Sequence, residues 1–221
     1  MADSLDSGSS VQYARAGSSP ASRTKNDSRK TVVFLRRHGR RSRQHWGKDG
    51  KRMEIWDLYN ENRELIGRDH IRGEELPEGC YHLVVHVWIR NSKGEYLVSQ
   101  RSTDRASFPL MWECVGGSVT KGEDSMVGAL RETLEEVGVV LKPENGTLRR
   151  SEVRDYVNGE RFADILDVWL FEYDGSVELE RATTREVAQV KWLRKEQIKE
   201  LLDAGKMVNT LGYFLSEMAA D

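Results

Sequence analysis

Hydrophobic and polar residues alternate over short runs of the chain from Glu54 onward, which is the pattern of half-buried β-strands. Turn-forming residues separate these runs, and the turns NENRE and NSKG predict two β-hairpins. A sheet is therefore the expected centre of the fold. The predicted strand segments are EIWDLY, LIGRDHIR, YHLVVHVWI, EYLVSQR, LMWECVGGSV, TLRRSEVRDYV, RFADILDVWLFEY and VAQVKWL.

Three further segments are instead predicted to form helices. The first covers about residues 123–137, the second is KEQIKELLDAG, which ends at Gly205, and MVNTLGYFLSEMAA is expected to form a final helix. Strands mixed with such helices predict an α/β fold in which a mixed sheet packs between helices. The apolar stripe of the first helix, which should face the core, consists of Val127, Leu130, Leu134 and Val137.

Three glutamates lie together on the first helix. Glu132, Glu135 and Glu136 project from the side opposite the apolar stripe, as a solvated acidic face usually does. However, Glu132 and Glu136 repel each other at i and i+4, and Arg131 is expected to lie well to the side. Gly128 shares the acidic face, and because a glycine inside a helix costs about 1 kcal/mol, it predicts a close approach. Carboxylates in this arrangement suit a hard cation such as Mg2+.

The stretch from Gly116 to Gly138 resembles the sequence box of the Nudix hydrolase family, G-x5-E-x7-R-E-U-x-E-E-x-G-U, where U is a bulky aliphatic residue. One U position differs, since it holds Thr133, and this is interpreted as a tolerated packing change. The resemblance covers about residues 54–204. The matching positions are Gly117, Glu123, Arg131, Glu132, Glu135, Glu136, Gly138 and Val139.

This resemblance implies a hydrolase that depends on Mg2+ or Mn2+ and cleaves a nucleoside diphosphate linked to another moiety, or a related diphosphate. It implies the family's α/β/α sandwich around a mixed sheet. Glu132, Glu135 and Glu136 match the catalytic metal ligands of the family. The expected partner is a small-molecule diphosphate.

The remaining site residues also follow from the resemblance. Arg131 and Glu123 match the pair that ties the preceding loop to the helix and orients the site. Gly116 and Gly117 would let the backbone approach the metal and the substrate phosphates. The box does not identify the general base, for which the candidates are Glu135, Glu136, Asp167, Glu172, Asp174 and Glu186.

Two sets of aromatic residues outside the box each have two alternative roles. His82 and His86 lie on one face of a predicted strand, where structural roles are expected and a second metal or substrate contact is the alternative. Trp88, Trp112 and Trp192 are expected in the core, with stacking on a nucleobase or an isoprenoid-like group as the alternative.

A second resemblance is to the isopentenyl-diphosphate isomerase branch of the same family. The QRS run, the FPLMW run and His82 at the opening of a strand are similar to that branch. The isomerase needs a cysteine close to Gly116 and Gly117, whereas Cys114 falls two or three residues early. Hydrolysis is therefore favoured over isomerisation. A non-catalytic module that binds RNA or another anion is a third hypothesis, and the complete glutamate set argues against it.

Charge divides the chain into two parts. Residues 1–52 hold 13 Lys and Arg against 4 Asp, whereas residues 53–221 hold 21 Lys and Arg against 32 Asp and Glu. The first part is expected to be a disordered extension, with a transit peptide or a nucleic-acid contact as alternatives. The second part is the predicted catalytic domain, with a hairpin over 53–80, a core over 81–204 and a C-terminal helix over 205–221.

Hydropathy and cysteine usage bear on the setting of the protein. The longest apolar run, from Leu83 to Ile89, is interrupted by His86 and is too short to cross a membrane. Cys80 and Cys114 form no disulfide or zinc pattern, so buried thiols in a cytoplasmic protein are expected. Nucleic acid is not the expected main partner, and a homodimer remains an open expectation.

Overall fold

A computed structural model of the chain describes residues 53–218, so the predicted extension over residues 1–52 lies outside the described part. No helix within residues 53–218 has the length and apolar character needed to cross a lipid bilayer. The helices are α1 (Ser125–Val137), α2 (Lys195–Asp203) and α3 (Phe214–Glu217), with short 3-10 turns at Pro143–Asn145, Leu179–Arg181 and Asn209–Leu211. The strands are β1 (Ile55–Tyr59), β2 (Leu65–Ile71), β3 (His82–Arg90), β4 (Tyr96–Arg101), β5 (Trp112–Glu113), β6 (Val115–Ser118), β7 (Gly146–Val157), β8 (Glu160–Glu172) and β9 (Val187–Leu193).

Seven of these strands form one mixed sheet, as predicted. Its main order is β5-β4-β3-β8-β7, while β6 pairs with β3 and β9 pairs with β4. The strands β3 and β8 are parallel, with Val84 opposite Leu166, and the other pairings in the sheet are antiparallel. A parallel pair at the centre of a sheet requires cover on both faces.

Side chains of the central strands alternate between two hydrophobic clusters, one on each face of the sheet. Ile165 of β8 belongs to the cluster that includes Ala129 of α1. The next residue, Leu166, belongs to the opposite cluster with Ile198 of α2 and Phe214 of α3. The sheet is therefore sandwiched between α1 and the C-terminal helices, which confirms the predicted α/β/α architecture.

The hairpin of β1 and β2 packs against the segment that leads into α1. Tyr59 and Tyr81 exchange backbone hydrogen bonds of 2.8 and 2.9 Å, which join the hairpin to the start of β3. The Lys121 amide donates to the Ile55 carbonyl at 2.8 Å, and the Gly122 amide donates to the Asp57 carboxylate at 2.7 Å. The hairpin thus supports the loop between β6 and α1.

The helix α1 buries a different face from the predicted one. Within the predicted stripe only Val137 is buried, whereas Val127, Leu130 and Leu134 are partly exposed. The prediction is wrong because α1 packs against β6 and β3 with the face that carries its carboxylates. The buried residues of α1 are Ser125, Gly128, Ala129, Thr133, Glu136 and Val137.

The C-terminal segment contains less helix than predicted. The Trp112 amide donates to the Lys206 carbonyl, and the Val208 amide donates to the Trp112 carbonyl, both at 2.9 Å. These strand-like bonds use backbone groups that a continuous helix would need. The predicted helix over 205–221 is therefore wrong for the described residues, in which α3 spans only Phe214–Glu217.

Small residues allow α1 to lie close to its neighbours. A Cβ atom on Gly128 would come within 2.7 Å of Val119 Cγ2, so the close approach predicted for this glycine is made by Val119. Thr133 is fully buried and its hydroxyl donates to the Ala129 carbonyl at 2.8 Å, which satisfies the polar group at this aliphatic position of the box.

We expect Gly128→Ala to destabilise the protein, although alanine favours helix by about 1 kcal/mol over glycine. Val119 is 3% exposed and branched at Cβ, so it cannot easily move away from the new methyl group. Overpacking of this kind costs about 1–3 kcal/mol, which should appear as a lower urea midpoint. In a Val119→Ala background the same substitution should be neutral or stabilising, and an equal loss in both backgrounds would contradict the packing explanation.

Candidate active site

The strand β6 contains two glycines, so its backbone is accessible to side chains of α1. Gly116 and Gly117 lie opposite His86 and Val85 of β3 in the antiparallel register. A Cβ atom on Gly117 would lie 2.5 Å from Oε1 of Glu132, and one on Gly116 would lie 2.4 Å from the Val85 carbonyl oxygen. At Gly116 the Val85 backbone leaves no room for a side chain, whereas at Gly117 a side chain would displace the Glu132 carboxylate, which rests on the Gly117 backbone.

Both ends of α1 are capped, which holds its glutamates in place. Asp124 is the N-cap and its carboxylate accepts a hydrogen bond of 2.8 Å from the Val127 amide. Gly138 ends the helix in the left-handed conformation at φ 71°, and its amide donates to the Leu134 carbonyl. These two caps explain why the helix begins and ends where the box predicts.

Glu136 is a buried carboxylate with little hydrogen bonding. Its side chain accepts one hydrogen bond, from the Gly116 amide at 3.3 Å, and the residue is 6% exposed. Burial raises the pKa of Glu136 well above its ordinary value, and the charges of Glu132, Glu113 and Glu186 raise it further. A carboxylate in this position requires either a proton or a nearby cation.

Arg131 connects the loop, the strand and the helix. Its guanidinium donates to Glu123 at 2.9 and 3.0 Å, to Glu132 at 2.8 Å, to Glu135 at 2.9 Å and to the Ser118 carbonyl at 2.9 Å. The expectation that Arg131 lies away from the carboxylates is wrong, because the long side chain reaches across the helix surface to them. Glu123 also accepts from the Thr120 amide at 3.1 Å, so the loop is tied to the same group.

The charge of Arg131 does not balance the acidic cluster. Burial raises the pKa of Glu132 to about 7 even though Arg131 opposes the shift. Within residues 53–218 no three His, Cys, Asp or Glu groups converge as a ready-made metal site. The donor set nevertheless fits a hard divalent cation, because three carboxylates share one guanidinium, which bonds Glu132 and Glu135 and leaves Glu136 with the Gly116 amide.

The four downstream candidates for the general base lie in different environments. Asp167 is fully buried and accepts both guanidinium bonds of Arg63, which removes it from the site. Glu172 pairs with Arg90, and Asp174 accepts from the Ser92 amide. Glu186 pairs with Arg105 and is close enough to Glu136 to raise its pKa. Of the four, Glu186 is the acid whose charge contributes to the raised pKa of Glu136.

The two strand histidines have different surroundings. His82 stacks on Trp56 with ring centroids 3.9 Å apart, and its Nδ1 is the one buried side-chain nitrogen or oxygen without a partner within the described residues. His86 instead bonds Tyr213 through Nδ1 at 2.7 Å. Trp88 and Trp112 pack in the cluster beneath α2, and Trp192 packs against the cluster beneath α1, which agrees with the expected core roles.

A cavity of about 120 Å3 adjoins the carboxylate cluster. The C-terminal segment supplies one wall of it, and this contribution was not predicted. Those residues carry no chemical motif, and only the strand-like bonds to Trp112 bring them to the site. The lining residues are Val84, His86, Glu113, Cys114, Gly116, Gly117, Val208, Thr210 and Leu211.

The chain is similar to several known proteins. A model of the NUDIX domain matches residues 81–213. An uncharacterized Nudix hydrolase of Listeria innocua is 40% identical over 169 residues, which cover 75% of this chain and 94% of that protein. Isopentenyl-diphosphate Delta-isomerase I of Arabidopsis thaliana is 29% identical over 170 residues, which cover 67% of this chain and 58% of that protein. A crystal structure from Deinococcus radiodurans has the same fold, with a TM-score of 0.59 and 22% identity over 76% of this chain and 100% of its own.

We expect Glu132→Gln to stabilise the metal-free protein more strongly as the pH rises. Because the pKa of Glu132 is raised from 4.5 to about 7 on folding, the folded state binds more protons than the unfolded state in that range. The wild-type protein therefore loses stability there as the pH increases, and the variant lacks this loss. The difference in unfolding free energy should grow from near zero below pH 4.5 to about 3 kcal/mol at most above pH 7.

Urea denaturation in the presence of a chelator, at several pH values, measures this difference. Histidine titrations are common to both proteins and cancel in the subtraction. A difference that stays constant across the range would show that Glu132 does not titrate as its burial indicates.

Proposed function

This chain belongs to the Nudix family and is a hydrolase, and from that premise we propose that it cleaves a nucleoside diphosphate linked to another moiety, or a related diphosphate. Members of the family generally use divalent metal ions. We propose Mg2+ or Mn2+ as the ion here, with Glu132, Glu135 and Glu136 as its ligands. The relatives do not identify the substrate.

One observation carries this proposal: the carboxylates of Glu132 and Glu136 lie against glycine backbone, and within residues 53–218 the buried Glu136 has no cationic partner, whereas the mostly buried Glu132 pairs with Arg131. Glu132 lies on Gly117, and Glu136 accepts only from the Gly116 amide. A purely structural role would not favour this arrangement, because an unpaired buried carboxylate is costly. A divalent cation offsets that cost and brings phosphate oxygens to the same place.

The residues of the chain perform separate tasks in this proposal. Glu132, Glu135 and Glu136 hold the cation, which supplies charge neutralisation and water activation when bound. Gly116 and Gly117 allow the Glu132 and Glu136 side chains to lie against β6, and their backbone is the proposed contact for the substrate phosphates. Arg131 is the orienting residue, because its hydrogen bonds to Glu123 and the Ser118 carbonyl fix the position of the loop relative to α1.

The general base is assigned to the acidic residues that face this cluster. Glu186, which pairs with Arg105, is our downstream candidate, since of the four acids it is the one whose charge acts on Glu136. Glu135 and Glu136 are the alternatives on α1. A base of this kind would accept a proton from the attacking water.

Isomerisation of an isoprenoid diphosphate is the alternative reaction. Cys114 is fully buried, and burial raises the pKa of its thiol well above the ordinary value. Its environment therefore gives no support to thiolate chemistry. Both Cys80 and Cys114 are free thiols, from which we infer a reducing cytoplasmic setting. A homodimer stays a prediction.

We expect the full chain with Mg2+ or Mn2+ to release phosphate or a nucleoside monophosphate from members of a diphosphate panel. Glu135→Gln and Glu136→Gln should each lower kcat by about 100-fold or more while the fold persists, because each removes a charge from the ion site. Glu196→Gln, an exposed glutamate on α2, is the matched control and should leave kcat unchanged.

Circular dichroism and thermal melting confirm that the variants are folded. Deuterium exchange into isopentenyl diphosphate without phosphate release would show that the protein isomerises this compound, and it would refute the proposed hydrolysis. Wild-type rates in both glutamate variants would refute the assigned ion site.

A further inference from the structure

The cavity beside Glu136 carries a polar group that hydrolysis at the carboxylate cluster does not explain. His86 lines this cavity from β3, next to Gly116 in the sheet register. Its ring lies nearly parallel to that of Tyr213, with an interplanar angle of 21° and a centroid separation of 5.8 Å. The two side chains come from opposite ends of the domain, so tertiary structure alone brings them together.

The hydrogen bonds of Tyr213 determine which nitrogen of His86 carries the proton. Trp88 Nε1 can only donate, and it lies 3.1 Å from the Tyr213 hydroxyl oxygen. The hydroxyl is left with one proton, and His86 Nδ1 lies 2.7 Å from it, a separation typical of a hydroxyl donor. Cys114 is the competing acceptor, but a thiol accepts hydrogen bonds weakly. In the other arrangement Nδ1–H would donate to the second lone pair of the hydroxyl, and the Tyr213 proton would be left with this weak acceptor, so donation from Tyr213 to Nδ1 is favoured.

The ring of His86 then presents a donor to the cavity. Burial lowers the pKa of His86 to about 3, so the ring is neutral and carries one proton. Because Nδ1 accepts from Tyr213, that proton resides on Nε2. Within residues 53–218 Nε2 makes no hydrogen bond to the protein, and because His82 Nδ1 is the one fully buried side-chain nitrogen there without a partner, Nε2 of His86 retains some accessible surface.

The surroundings of this donor exclude an anionic occupant. Val84, Val208 and Leu211 form apolar walls of the cavity. Glu113 also lines it and is already paired with Arg101 at 2.9 Å, while Glu136 lies behind Gly116. None of the lining residues is cationic, so this space, unlike the proposed ion site beyond Gly116, suits an uncharged group.

The volume of the cavity limits the size of that group. Its volume of about 120 Å3 is somewhat smaller than an apolar cavity of about 150 Å3 that binds benzene. The cavity is partly open to solvent, so this volume describes its enclosed part, which a single six-membered ring or a short chain would fill and a fused two-ring system would extend beyond.

We propose that this cavity binds the uncharged end of the diphosphate substrate, a compact group with a hydrogen-bond acceptor that receives the Nε2 proton of His86. This inference rests on the proposed hydrolysis and narrows its substrate class. His86 is the specificity-determining residue, and Tyr213 is a positioning residue that acts through it by selecting the tautomer.

Nitrogen-15 NMR of the imidazole side chains tests the tautomer directly, without any turnover. In the wild-type protein His86 should show the shifts of an Nε2–H ring. In Tyr213→Phe, where Nδ1 loses its donor, the shifts should move towards a mixture of tautomers. An Nδ1–H ring in the wild-type protein would overturn the proposal.

Kinetics with Mg2+ tests recognition of the substrate. The panel contains uridine and cytidine diphosphates, which have one ring with carbonyl acceptors, adenosine and guanosine diphosphates, which have two fused rings, and isopentenyl diphosphate, which is compact without an acceptor. The one-ring nucleotides should have kcat/KM values at least tenfold above those of the two-ring nucleotides. Equal values for the two classes would overturn the size limit.

His86→Leu should lower kcat/KM for the one-ring nucleotides by about tenfold or more, as expected for loss of a buried hydrogen bond. The same variant should leave any turnover of isopentenyl diphosphate unchanged, because that compound accepts no bond from Nε2. His86→Gln retains an N–H donor and should restore most of the loss. His70→Gln, at a buried imidazole outside the cavity whose Nε2 contacts the Glu74 carbonyl, is the control.

Unchanged kinetics in folded His86→Leu would overturn the assignment of His86. A wild-type protein that hydrolyses no member of the panel would contradict the proposed function instead. In that event uridine diphosphate with Mg2+ is titrated into the NMR sample. A shift of the His86 Nε2 signal would still support the cavity, and an unchanged signal would overturn it.

Discussion

The contact between buried carboxylates and glycine backbone is the constraint on which the rest of this structure depends. Glu132 rests against Gly117, and Glu136 accepts from the amide of Gly116. The Glu132 contact requires a position without a side chain at Gly117, and both contacts require a helix held close to β6. The carboxylates are thereby concentrated at one place, and this clustering of negative charge is unfavourable unless a cation is bound. A bound cation would in turn attract a diphosphate.

Several elements cooperate to hold this unfavourable arrangement together. Arg131 bonds Glu132, Glu135 and the loop residue Glu123. The same side chain therefore offsets part of the negative charge and holds the loop in place. The caps at Asp124 and Gly138 define the ends of α1. The energy needed to bury the carboxylates is offset by packing of the sandwich around them, where α1 covers one face of the sheet.

In the proposed mode of substrate binding, the opposite face of the sheet contributes recognition rather than charge. The bonds between Trp112 and the C-terminal segment carry that segment across the sheet and close one wall of the cavity. Tyr213 then reaches His86, so a residue near the end of the chain controls the proton on a residue of β3. The carboxylate side and the cavity side meet at Gly116, which contacts Glu136 on one side and lines the cavity on the other.

Local patterns in the sequence determined the strands, the extent of α1, the mixed sheet and the set of box residues, because alternation, caps and motif spacing depend on near neighbours along the chain. The same patterns misplaced the buried face of α1, since periodicity identifies an apolar side but cannot reveal that glycines on β6 would accept the carboxylates. They also overestimated the last helix, because Trp112 competes for its backbone bonds. The reach of Arg131 and the pairing of His86 with Tyr213 were decided by tertiary structure alone, since long side chains and residues distant in sequence meet only after the layers have packed.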